Sequence, residues 1–180
     1  IASGKGASTV IKDLDTVFPV GYYQFHKDQT YNYQLNRWHS LGLMPYEDLK
    51  DIGAKIVTFA DWKYEMIHLA EKAIADSRLL NAAFYYRAAE FYTMKGDQPD
   101  KEFYYDNFSK LFYQSIDNAQ VERKLIPYTD HSMLPALRIK SKSEYKGTLL
   151  LHGGFDSFIE EWYFIMQYLS MCGFDVIGFE

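Results

Sequence analysis

The chain has 180 residues, 48% of them hydrophobic and 18% aromatic, which is enough apolar material for one packed domain or for a small domain with part of another. Its formal net charge is −5 and no run of Lys or Arg occurs, which argues against nucleic acid and against an anionic membrane surface as partners. No apolar run reaches the roughly 18 residues that a transmembrane helix requires.

The first two thirds of the chain have the periodicity of helices. Residues 1–9 lack the spacing of a phosphate-binding loop, and we interpret them as a flexible lead-in. Apolar side chains at helical spacing predict helices over residues 28–40, 59–77, 78–95 and 99–116. Pro45 at a first-turn position, followed by Glu47 and Asp48, predicts a short helix over residues 45–56. The pair over 78–116 has no second copy at a fixed period, which disfavours a helical repeat protein.

Near Ala119 the period of the pattern changes from helical to alternating. Residues 121–127 and 133–139 alternate apolar and polar side chains, with turn chemistry at 129–132 between them. This pattern predicts a β-hairpin. We therefore divide the chain into a helical region, 1–118, and an α/β region, 119–180.

The last part of the chain, residues 147–180, predicts a strand, a glycine turn, a helix and a second strand. The apolar runs 148–151 and 176–179 lack alternation, as expected for parallel strands covered on both faces. Ser157 and Glu160 have the spacing of a capping box, which predicts the start of the helix, and Glu160 and Glu161 fall in its first turn. The segment is one βαβ unit.

The turn after the first of these strands carries the chemistry. Adjacent glycines, Gly153 and Gly154, let the backbone approach a ligand closely. Backbone N–H groups beside a helix start suit the negative charge that develops in acyl transfer. A dinucleotide site would require Gly-x-Gly-x-x-Gly, and the third glycine is missing. His152, at the strand end, is by itself more typical of a structural hydrogen bond than of catalysis.

The residues of this turn, His152 to Ser157, resemble the first strands of an α/β-hydrolase when taken with the Glu160–Glu161 pair and the strand 175–180. Residues 36–38 and 82–89 of the helical region narrow this resemblance to one branch of the α/β-hydrolases, and most of the chain shares that branch's pattern. The chain is similar to the branch that contains dihydroxypseudooxynicotine hydrolase and the fermentation–respiration switch protein-like esterases. In that branch a helical domain precedes and partly covers the hydrolase core.

The resemblance implies an oxyanion hole built on the backbone N–H of Phe155 and on the N–H after the nucleophile. His152, Gly153 and Gly154 are catalytic candidates of the same turn, and Asp156 is a candidate for substrate binding. The nucleophile is expected in a Gly-x-Ser-x-Gly elbow on a later strand, followed by an acid and a histidine. No serine of this sequence lies in such an elbow.

We therefore expect the N-terminal part of a longer serine hydrolase, because residues 176–179 are too apolar for an open sheet edge and should need a further strand. Its substrate would be a small molecule with an ester, amide or related carbonyl bond, and carbon–carbon bond hydrolysis stays open. The helical region would form a lid. Tyr31, Trp38 and Trp62 are candidates for an apolar substrate wall, with core packing as the alternative.

A second hypothesis is a non-catalytic helical interaction module on a degenerate hydrolase core, with a protein partner. The aromatic helices could also form a homodimer face. We expect no cofactor and no metal, because the five histidines are scattered without the spacing of metal ligands. The single cysteine, Cys172, excludes an intrachain disulfide and fits a reducing compartment, which favours a cytoplasmic location.

Overall fold

The structure is a computed structural model that describes residues 18–94, 96–116 and 119–180, so the predicted lead-in over residues 1–9 lies outside it. The chain forms two compact units. One consists of residues 18–116, and the described part of the other runs over residues 119–180. Within these ranges, no helix is both long and apolar enough to cross a membrane.

The first unit is helical, as the periodicity predicted. Its helices are α1 (Gln29–Ser40), α2 (Tyr46–Leu49), α3 (Phe59–Ala75), α4 (Leu79–Phe91) and α5 (Gln98–Ser115), with a 3₁₀ turn at Gly53–Lys55. The predicted segment 45–56 is thus a short helix followed by this turn. Helix α3 begins at a capping box in which Thr58 and Asp61 satisfy each other's backbone N–H groups.

Helix α4 forms the centre of the helical unit. It packs against both α3 and α5, and every residue from Ala82 to Glu90 is buried. The charged residues of this stretch pair with one another, since Arg87 donates to Glu90 and Lys101 of α5 reaches the same carboxylate at 2.5 Å. Because the buried charges are compensated, α4 can be enclosed on all sides.

The segment before α1 is held by polar side chains of that helix. Asn36 accepts the N–H of Tyr23 and donates to its carbonyl, both at 2.8 Å. Asn32 accepts the N–H of His26 at 2.9 Å, and the His26 ring bonds the carbonyl of Ile56 at 2.9 Å. His26 is therefore a structural residue of the core.

The second unit contains a four-stranded sheet in the order β1-β2-β4-β3. The strands are β1 (Val121–Thr129), β2 (Ser132–Ile139), β3 (Gly147–His152) and β4 (Phe174–Phe179). Strands β1 and β2 form the predicted hairpin, β2 pairs with β4 antiparallel, and β3 pairs with β4 parallel. A 3₁₀ turn, Ile159–Trp162, leads into helix α6, Tyr163–Met171, which packs on β4.

The order of the strands corrects two expectations. Residues 176–179 do not need a further strand, because β4 lies in the sheet interior between β2 and β3. Strand β3 is an outer strand of the described sheet, and it alternates between half-buried and exposed residues, with Leu150 71% exposed. The prediction that both strands are covered on both faces was therefore wrong for β3, because no described element covers its outer face.

Candidate functional site

The glycine turn lies at the carboxyl edge of the parallel strand pair. His152 ends β3 and is the register partner of Phe179, which ends β4. The turn of residues 153–158 leaves the sheet directly after His152, and Glu180 follows Phe179 on the neighbouring strand. Ligands of open α/β sheets bind at this edge.

The two glycines of the turn differ in the space around their α-carbons. A Cβ on Gly153 would stand 2.1 Å from the Oγ of Ser157, which can rotate away, and 3.2 Å from the Ser157 carbonyl oxygen, which is tighter than an ordinary contact. A Cβ on Gly154 would meet no heavy atom within 4 Å of it. The first glycine thus packs closely against Ser157, whereas the second leaves open space beside the backbone.

The backbone N–H groups at the tip of the turn have no hydrogen-bond acceptor among the described residues. These are the N–H groups of Gly154 and Phe155. Both residues are exposed. The relative exposure of Phe155 is 109%, so its side chain is surrounded by solvent. The two groups can therefore donate to an acceptor that comes from outside this chain.

N–H groups further along the chain are already occupied, and the Ser157 N–H lies 3.5 Å from the carbonyl oxygen of Gly154. Phe158 donates its N–H to Oε1 of Glu161 at 3.2 Å, and Ile159 donates to Oε2 of Glu180 at 2.9 Å. The prediction that Ser157 caps the helix was wrong, because the helical turn begins later, at Ile159. The Ser157 hydroxyl instead faces the carbonyl of Gly154 at 3.5 Å.

The acidic pair lies in the first helical turn, as predicted. Glu160 and Glu161 are both buried there, at 5% and 2% exposure. A carboxylate in this position is stabilised by the positive end of the helix. The local role of Glu161 is to accept the Phe158 N–H, which leaves the tip of the turn as the part open to a ligand.

The other polar candidates of the turn are exposed. The Nδ1 atom of His152 lies 2.9 Å from the carbonyl oxygen of Gly153, within the same turn, and its ring centroid is 6.1 Å from that of Phe179. This contact fits a structural hydrogen bond, which was the more conservative interpretation. Asp156 is exposed at the tip, next to Phe155.

The three aromatic candidates lie in the helical unit. Trp38 and Trp62 are fully buried, and Tyr31 is 6% exposed. Tyr31 stacks on Trp62 with ring centroids 5.5 Å apart, and the Trp62 indole N–H donates to the carbonyl of Ala88 at 2.7 Å. Their enclosure favours core packing over a substrate wall.

Sequence reasoning missed the role of Glu180. The sequence did contain a signal for this contact, since the acidic Glu180 directly follows β4, which runs parallel to the strand before the turn. The bond to Ile159 could not be found without the strand order, because it joins residues 21 apart in the sequence.

A second group of charges lies at the opposite end of β4. The Asp175 carboxylate accepts the N–H of Ser141 at 2.9 Å and pairs with the guanidinium of Arg138. The Ser141 N–H and, next, Arg138 lower the pKa of this carboxyl below its usual range. The group joins β4 to the end of β2, away from the turn. Among the described residues, no three His, Cys, Asp or Glu side chains are grouped to hold a metal ion.

No protein-family model matches the sequence, and no curated protein matches it. Solved structures do match. AbyA5, in its wild-type structure, superposes with a TM-score of 0.60 at 20% identity over 80% of this chain and 43% of that chain. A second AbyA5 structure gives 0.54 at 24% identity over 64% and 34%. The crystal structure of the 2,6-dihydroxy-pseudo-oxynicotine hydrolase gives 0.52 at 17% identity over 81% and 45%.

This chain spans less than half the length of each of these structures. Both proteins have α/β-hydrolase-type structures. At identities below 25% the likeness establishes the fold, and the predicted fold class is confirmed. The chain has an α/β-hydrolase-type fold, in which a helical region precedes the first strands of the hydrolase sheet.

Proposed function

We propose that this chain supplies the oxyanion side of the active site of a serine α/β-hydrolase. The observation that carries the proposal is the turn after β3, where the N–H groups of Gly154 and Phe155 have no acceptor among the described residues. In the proposal, the Phe155 N–H donates to the substrate oxygen. Gly153 permits the tight turn, and the open space at Gly154 lets the substrate approach the backbone.

The reaction is the hydrolysis of an ester, amide or related carbonyl bond in a small molecule. A serine attacks the carbonyl carbon while a histidine takes its proton, and negative charge develops on the carbonyl oxygen. Two N–H donors stabilise that charge in the transition state, the one of Phe155 and the one that follows the serine. The serine, its acid and its histidine belong, in this proposal, to a further part of the same protein.

The fold supports a hydrolase, and one of the similar structures is by name a hydrolase of 2,6-dihydroxy-pseudo-oxynicotine. We extend to this chain only the reaction class, hydrolysis. Cleavage of a carbon–carbon bond uses the same oxyanion and is included. The lid role of the helical region, the homodimer and the cytoplasmic location stay predictions from the sequence.

The test uses the full-length protein, meaning the whole polypeptide that contains this chain. Its reading frame should contain Gly-x-Ser-x-Gly after Glu180, and the folded protein should react with a fluorophosphonate probe. A Ser→Ala change in the elbow should abolish labelling. If the elbow is missing, or if intact folded protein is not labelled, the non-catalytic interaction module replaces the hydrolase.

The same assay tests the oxyanion donor directly. Phe155→Pro removes the backbone N–H, and losing one such donor lowers kcat by about 10²- to 10³-fold in serine hydrolysis. Phe155→Ala is the matched control, because it keeps the N–H and removes a side chain that is fully exposed. Equal activity of the two variants would contradict the assignment of Phe155.

A further inference from the structure

Besides the packing of the helix on β4, two hydrogen-bonded contacts tie the glycine turn to the sheet, and the second of them is made by a side chain. At the first point, the backbone ladder between β3 and β4 holds His152 opposite Phe179. At the second, the carboxylate of Glu180 accepts the N–H of Ile159, directly after the turn, at 2.9 Å. We propose that Glu180 is a positioning residue, which holds the Phe155 N–H in its oxyanion-binding geometry; this inference rests on the proposed function.

Glu180 is well placed for this role because its own backbone is fixed. Its N–H donates to the carbonyl of Pro135 in β2 at 3.2 Å. The residue therefore continues the sheet on one side while its side chain reaches the start of the helical turn on the other. The turn of residues 153–158 is thus fixed at its start by the pairing of β3 with β4 and at its end by the side chain of Glu180.

The contact of Glu180 differs in kind from that of Glu161. Glu161 accepts the N–H of Phe158 within its own helical turn, so it caps the helix locally. Glu180 accepts across 21 residues of sequence and ties the helix start to the central part of the sheet. Without it, the start of the helical turn would keep its packing on β4 but lose the hydrogen bond that fixes the Ile159 backbone to the end of that strand.

The bond also decides which N–H groups are left for a substrate. The N–H groups of Phe158 and Ile159 are bound to carboxylates, and the Ser157 N–H lies 3.5 Å from the carbonyl oxygen of Gly154. At the tip, the N–H groups of Phe155 and Gly154 have no acceptor among the described residues. A shift of the helix start would free the Ile159 N–H and move the tip. Glu180 thus acts on the reaction through the position of the backbone.

The experiment compares substitutions of Glu180 in the full-length protein. Glu180→Ala should lower kcat and the rate of fluorophosphonate labelling by about tenfold or more, with KM little changed, because a misplaced donor is lost in the transition state. Glu180→Gln keeps an acceptor oxygen at the same reach and should retain most of the activity. Glu180→Asp keeps the charge but is shorter by one methylene, and it should behave like the alanine variant.

Asp175→Ala is the matched control. That carboxylate also accepts a backbone N–H at 2.9 Å, and it belongs to β4 itself, at the end away from the turn. It should lower the thermal unfolding temperature at least as much as Glu180→Ala while leaving kcat unchanged. A loss of kcat that merely follows stability would appear in both variants and would overturn the inference.

The outcomes separate this inference from the proposed function. If the wild-type protein is not labelled at all, the hydrolase proposal fails whatever Glu180 does. If the wild type is labelled and Glu180→Ala and Glu180→Asp label at its rate, the positioning role is wrong and the hydrolase stands. Should the alanine variant fail to fold, the comparison of the Asp and Gln variants decides, and equal activity of these two overturns the inference.

Discussion

At the scale of single residues, the two glycines of the turn are not equivalent. Gly153 is in contact with Ser157, whereas Gly154 borders open space. The sequence shows only that two glycines follow a strand. The contact at Gly153 comes from Ser157, whose hydroxyl points back to the carbonyl of Gly154 instead of capping the helix.

This difference predicts opposite results for the same substitution. Gly153→Ala should shift the turn, since its Cβ would displace the Ser157 hydroxyl and stand 3.2 Å from the Ser157 carbonyl oxygen, and it should lower kcat/KM of the full-length protein by about tenfold. Gly154→Ala, with nothing within 4 Å, should stay within about threefold of the wild type. Steady-state kinetics check this, and a similar loss in both variants would contradict the packing role of Gly153.

The buried tryptophan of α3 gives a second prediction for a single residue. Trp62→Phe removes the indole N–H bond to Ala88 and part of a fully buried side chain, so it should lower the free energy of unfolding by about 1–3 kcal/mol. KM should not change if the residue is core. Denaturant unfolding and kinetics measure the two effects, and a raised KM at unchanged stability would restore the substrate wall.

Tyr64 provides the control for this measurement. It lies on the same helix and is 71% exposed. Tyr64→Phe should change the free energy of unfolding by no more than about 0.5 kcal/mol.

At the scale of the elements, the sheet is defined by its crossover. The chain leaves β3 at the sheet edge, passes through α6 and returns as β4 between β3 and β2. The apolar pattern of residues 176–179 reports burial correctly, since Val176 is fully buried. It does not say what buries the strand, and both neighbours of β4 come from earlier in the chain.

The contact between Asp175 and the end of β2 makes the sheet sensitive to acid. The pKa of this carboxyl is lowered in the folded state. The stability that the carboxylate contributes is therefore complete above the pKa of an aspartate in an unfolded chain, about 4. It is lost as the pH falls through the lower pKa of the folded state. Asp175→Asn should therefore lower the unfolding temperature at neutral pH and reduce its fall in acid.

Thermal unfolding of the full-length protein from about pH 2 to about pH 7 measures this effect. Glu144→Gln changes an exposed carboxylate of the same unit and should follow the wild-type curve. Parallel curves for wild type and Asp175→Asn would show that the carboxylate does not contribute.

At the scale of the whole molecule, local patterns predicted the elements and long-range contacts did not follow from them. Helical spacing located α3 and α5, and alternation located the hairpin, because these features depend on neighbours a few residues away. The glycine turn was found for the same reason. The interior place of β4 and the bond from Glu180 to Ile159 depend on strand order, which a single sequence does not encode locally.

The bond between Glu180 and Ile159 also has a consequence for folding. Strand β3, the turn and the first helical turn leave the ribosome before the residue that holds them. A contact between residues 21 apart costs the entropy of closing the intervening chain, which an ordered α6 and β4 reduce. The glycine turn should thus acquire its final shape late, after the crossover is complete, and in the native protein it should open together with β4 in hydrogen exchange.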